Sequence, residues 1–69
     1  MKQHTTRHHR KPQSKNGSNE PRNLSFVGEN AHRAWHYLFQ NFDPPTIAAI
    51  INRTWLDPDY VFVVKRREP

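Results

Sequence analysis

The sequence predicts a small α+β domain: an antiparallel hairpin, a helix laid on it, a second short helix and a C-terminal strand. Three observations point that way. Asn23-Leu24-Ser25-Phe26-Val27 alternates apolar and polar residues, as a half-buried strand does, and follows a turn-rich stretch. Apolar groups at Ala31, Ala34, Trp35, Leu38, Phe39 and Phe42 recur at helical spacing. The β-branched and aromatic run Tyr60-Val61-Phe62-Val63-Val64 closes the chain as a predicted strand, ending in Lys65-Arg66-Arg67.

Taken in order, residues 1–7 are polar and unpatterned and are expected to form a mobile basic tail. Residues 8–41 form the hairpin and helix. The first arm is placed near His8–Arg10, the excursion around Asn16-Gly17, the sharpest turn signal, and the second arm at 23–27. Gly28 is the expected N-cap of a helix running from Glu29 to about Asn41, with the Glu29 charge favouring the positive end of the helix dipole. Residues 42–69 complete the core. Asp43 caps a second helix in which Pro44 occupies a position whose N–H would go unused, and Ile47, Ile50 and Ile51 mark its buried face as far as about Arg53. Trp35, Phe39, Trp55 and Phe62 are placed in the core rather than assigned to base stacking, because their spacing is periodic.

Size and composition restrict what can hold such a domain together. Sixty-nine residues bury little apolar surface, and the absence of cysteine removes both a disulfide and a thiolate zinc site as a brace. A histidine-bound metal is the remaining staple, since binding energy becomes folding energy when only the folded chain presents the ligands. Charge points to a polyanionic partner. The net charge is +5, and residues 1–22 hold six bases against one acid. No apolar run reaches membrane-span length and no apolar signal region follows Lys2, so a soluble cytoplasmic protein without membrane contact is expected.

The histidines carry the chemistry. His32 and His36, four apart on one helix, point the same way and can grip one ion from one face. A third ligand must come from elsewhere, and the His8-His9 pair offers one ligand with one imidazole left free for proton transfer.

The run His8-His9-Arg10-Lys11-Pro12-Gln13-Ser14-Lys15-Asn16-Gly17, then Asn23-Leu24-Ser25, then His32-x-x-x-His36, resembles the HNH endonucleases with the ββα-metal (His-Me) finger, and among them the nuclease domains of the DNase colicins. The likeness covers residues 8–36. It implies that His8, His32 and His36 hold the metal, that His9 is the general base on the attacking water, and that Asn23 tethers the excursion and keeps the base oriented. It implies phosphodiester hydrolysis in DNA or RNA, with DNA ahead of RNA. The sequence departs from that pattern in lacking the large N-terminal part of the colicin nucleases and the cysteine pairs that brace other HNH members.

Three protein ligands would leave coordination positions for water or substrate oxygen, as in catalytic rather than closed structural sites. Imidazoles suit Zn and Ni, and Mg or Mn can serve when phosphate oxygens complete the shell. Arg7, Arg10, Lys11, Lys15 and Arg22 flank the site in sequence, and Arg33 lies between the helix ligands; all are candidates for phosphate contacts that ignore base identity. The competing expectation is a non-catalytic nucleic-acid- or ribosome-binding module that keeps the finger as a scaffold. Retention of His9 favours the enzyme, while small size favours the binder and leaves room for a protein partner or a homodimer.

Overall fold

A computed structural model describes residues 4–68. Two strands, β1 (Thr5–His9) and β2 (Leu24–Gly28), pair antiparallel with His9 opposite Leu24 and Thr5 opposite Gly28. Helix α1 (Glu29–Phe39) follows β2 directly and packs on both strands. Helix α2 (Pro44–Ile50) runs on into a π-turn at Ile51–Trp55. The order is ββα followed by a helical extension, in the α+β class.

Strand β1 begins earlier than expected. Thr5, Thr6 and Arg7, placed by the sequence in a mobile tail, pair with Gly28, Val27 and Phe26, and the Glu29 N–H donates to the His4 carbonyl at 2.8 Å. Two adjacent β-branched threonines suit a pleated strand once a partner is present. The remainder of that expected tail, residues 1–3, lies outside the described residues. Because opposite residues share a face and alternate along a strand, Thr6, Val27, His8 and Ser25 lie on one face and Arg7 and Phe26 on the other. His8 is half-buried and Phe26 exposed, so the first of these is the face α1 covers.

The excursion between the strands is held by its turn residues. A short 3-10 turn at Gln13–Lys15 ends on Asn16 in the left-handed region (φ 69°), a conformation asparagine tolerates. At Gly17 a Cβ would sit 1.7 Å from the Lys11 carbonyl oxygen, so only glycine fits where the backbone folds back on itself.

Gly28 is the N-cap of α1, as read from the sequence, and the helix ends at Phe39 rather than Asn41. Asp43 caps α2 by accepting from the Thr46 N–H at 3.0 Å, with Pro44 and Pro45 opening the helix. The helical path passes Arg53 to Trp55, its last turn widened so that the Leu56 N–H donates to the Ile51 carbonyl.

The expected C-terminal strand does not form among the described residues. Tyr60–Val64 enters no sheet: the Tyr60 N–H closes a turn on the Asp57 carbonyl at 2.9 Å, and the Asn52 side chain accepts from Phe62 N–H at 2.8 Å and donates to Phe62 C=O at 2.9 Å. An amide mimics one residue of a ladder, and strand propensity without a partner strand yields nothing further. The core differs accordingly. Among the described residues Phe39 is the buried hydrophobic, at 7% exposure; Trp35, also expected inside, meets it with tilted rings 4.6 Å apart but is itself 37% exposed, at the edge of the thin core. Trp55 and Phe62, expected inside, are 62% and 55% exposed, because no second layer of described residues covers them. Ile47, Ile50 and Ile51 are half-buried. The chain exposes 6351 Å², against about 4,600 Å² for a compact protein of its mass. None of the described helices is long and apolar enough to cross a membrane.

Candidate metal centre

Strand alternation directs His8 toward α1, and helical periodicity puts His32 and His36 one turn apart on the side of α1 that meets it. One ring nitrogen from each of the three lies within 4.8 Å of the other two. The ring centroids are 5.1 Å apart for His8–His32, 5.7 Å for His8–His36 and 4.7 Å for His32–His36. His8 and His32 are half-buried and His36 is exposed, so the cluster opens to solvent on one side.

The ring atoms define which nitrogens are free. His32 Nδ1 sits 2.6 Å from Thr6 Oγ1, and Nε2 of His32 sits 2.9 Å from Nε2 of His36. With Nδ1–H donating to the threonine hydroxyl, the lone pair of His32 is on Nε2, facing His36. In a tetrahedral site with metal–nitrogen bonds of about 2.0–2.1 Å, ligand nitrogens are about 3.3 Å apart, so a few tenths of an ångström of spreading would admit an ion. Nδ1 of His8 is buried without a hydrogen-bond partner. An orphaned polar atom of this kind costs about 1–3 kcal/mol, and such groups are commonly satisfied by an ion or water. The donor set thus fits a divalent cation that accepts imidazole.

Burial, followed by the neighbouring His32, His36 and His9 rings and the Arg10 charge, pushes the His8 imidazole below its ordinary pKa. Each cause disfavours the protonated form. The shift favours the neutral form of His8, which is the state a ligand requires.

His9 stands beside the cluster. As the last residue of β1 it lines a cleft of about 300 Å³ shared with Pro12, Ser14, His32, His36 and Asn41. Its Nε2 lies 2.7 Å from Asn19 Oδ1, and since an amide oxygen only accepts, Nε2 carries the proton and the lone pair resides on Nδ1. Asn23 occupies the end of the excursion. Its Oδ1 accepts from the Lys11 N–H at 2.7 Å, and its Nδ2 donates to the carbonyls of Ser18 at 2.7 Å and Lys11 at 3.1 Å. It clamps both ends of the loop, while the residue that touches the His9 ring is Asn19.

The basic residues divide. Arg10 donates to the Arg22 carbonyl at 3.0 Å, and Arg10, Lys11 and Arg22 line one groove. Lys15 borders the Asp43 end of α2. Arg7 is on the outer face of the hairpin with Phe26, and Arg33 is paired with Glu29 at 2.8 Å. Neither is gathered with the others.

Sequence reasoning missed Thr6 and Asn19. Thr6 carried a signal: it stands two residues before His8, and in a strand that reaches back this far the two share a face. Asn19 carried none, since its position depends on the loop's path. No protein-family model, curated protein or solved structure matches this chain.

Proposed function

We propose that the chain is a metal-dependent endonuclease of the HNH type that hydrolyses phosphodiester bonds of nucleic acid, DNA ahead of RNA. One divalent ion would be held by His8, His32 and His36, with His9 as general base. The observation that carries this reading is the shared cleft: a fourth imidazole, not part of the cluster, opens onto the same space as two of its members. A scaffold needs three ligands and has no use for the fourth ring.

When bound, the ion would act as a Lewis acid on the phosphate; three neutral ligands leave its full positive charge facing an anionic substrate. The remaining work falls to the chain. His9 takes a proton at Nδ1 from a water as its oxygen attacks phosphorus, and the bond from phosphorus to the departing sugar oxygen breaks, that oxygen leaving with a proton from solvent. Asn19 fixes the His9 tautomer by holding Nε2–H. Asn23 keeps the loop that carries Asn19 in place.

The scaffold reading draws support from one feature, the single buried hydrophobic residue among those described, which makes a cross-linking ion useful for folding alone. Incubation with plasmid and with structured RNA in Mg, Mn, Zn or Ni, beside His9→Ala, separates the two. Nicking by the native chain that is lost in His9→Ala, with cation affinity retained, supports catalysis. Binding without cleavage by both proteins in every ion overturns it in favour of the scaffold.

A further inference from the structure

We propose that Arg66 and Arg67 of the C-terminal arm join Arg10, Lys11 and Arg22 in a groove that carries the phosphodiester backbone of duplex DNA past the histidine cluster. This deepens the nuclease reading and rests on it for the identity of the polymer.

Three distant stretches meet here: Arg10 and Lys11 just after β1, the 3-10 turn at Pro21–Asn23, and the arm beyond Val64. Together they enclose about 770 Å³. The wall holds five cations and one acid, Glu68. Among the described residues the ion pair formed is that of Arg33 with Glu29, on α1, so none of the five cations is neutralised by a described carboxylate within 4 Å. Like charges gathered this way repel one another, and an anion relieves that repulsion.

The groups are also held in place. Arg10 is fixed by the Arg22 carbonyl, Lys11 by the Asn23 clamp on its backbone, and the arm by the Asn52 clasp on Phe62, four residues before Arg66. Guanidinium forks match phosphate oxygens. Among the described residues no apolar side chain lines the groove, whereas a protein partner would call for an apolar centre. Arg10 also lines the hollow that His8 and His32 border, so one wall of the groove lies beside the histidine cluster.

The test is duplex binding by fluorescence anisotropy across a salt series, using the zinc-loaded His9→Ala chain so that cleavage does not intrude. Adding Arg66→Gln and Arg67→Gln should weaken binding roughly ten-fold and reduce the slope of log K against log salt by about two, at about 0.9 for each phosphate no longer neutralised. Arg66→Lys with Arg67→Lys should keep the slope, and Arg53→Gln, an exposed arginine outside the groove, should leave it unchanged. The far-UV spectrum should be the same throughout. Native affinity and slope in the Gln variant would overturn the groove, as would polyglutamate competing as well as duplex of equal charge. Binding that depends on Arg66 and Arg67 in a native chain that never nicks would sink the nuclease and keep the groove; nicking unaffected by the Gln pair would do the reverse.

Discussion

Thr6 Oγ1 lies 2.6 Å from Nδ1 of His32, joining the first strand to the first helix through a residue that is not itself one of the clustered imidazoles. Such a hydrogen bond sets the tautomer and angle of a ligand ring, and removing it commonly costs about 10–100-fold in metal affinity. Thr6→Val keeps the shape and removes the hydroxyl, so zinc affinity measured by competition with a chromogenic chelator should fall within that range. Thr6→Ser should stay near native. Equal affinity for all three proteins would show that the hydroxyl does not orient His32.

Removing the ion and lowering the pH should act in the same direction. A chelator should lower the thermal midpoint of cation-loaded protein, because binding to the folded state alone stabilises it. For the metal-free chain the sign follows from His8, whose folded pKa is depressed by burial and by its neighbours. Above the ordinary imidazole value of about 6.5 its contribution to stability is fully present. As pH falls below that value the unfolded chain binds the proton first and stability declines, levelling off once the folded-state pKa is passed. Denaturant midpoints between pH 8 and pH 5 check this; a midpoint that rises on acidification would contradict it.

Asn23 makes three hydrogen bonds to the backbone of the excursion, and their chemistry predicts an order of damage. Asn23→Ala should cost about 1–2 kcal/mol, a few partly solvated bonds at their usual net worth. Asn23→Asp should cost more, since it turns an oxygen toward the carbonyls of Lys11 and Ser18 where an N–H had donated. Urea unfolding of the two variants measures this directly. Alanine proving the worse of the two would mean the clamp is not polar in origin.

Gln40 follows α1 with φ 48° and ψ −129°, a region that suits glycine and strains a residue with a Cβ. Gln40→Gly should stabilise the fold by about 1 kcal/mol, the relieved strain exceeding the added freedom of the unfolded chain. A lower urea midpoint in the variant would rule this out.

Local chemistry made much of the fold legible in advance. The Asn16-Gly17 turn, the Gly28 boundary and the Asp43 cap each follow from what one or two residues do to their own backbone, and each stands where the residues alone predict it. The histidine cluster was legible for the same reason, as the product of a helical step of four and one strand residue. What could not be seen depended on partners distant in sequence. Thr5–Arg7 becomes strand because Phe26–Gly28 lies beside it, and Tyr60–Val64 fails to become one because no described strand does. Arg66 and Arg67 reach Arg22 only through the path of an arm whose geometry no spacing encodes.

The unpaired run Tyr60–Val64 leaves most of its backbone donors and acceptors open beside side chains that favour cross-β stacking, the makings of intermolecular aggregation. Asp57 and Asp59 stand before it and Lys65, Arg66 and Arg67 after it, so a second molecule adding parallel and in register would stack like charge on like charge at both ends. The flanks thus act as gatekeepers against parallel stacking of the segment, a protection that high salt would erode.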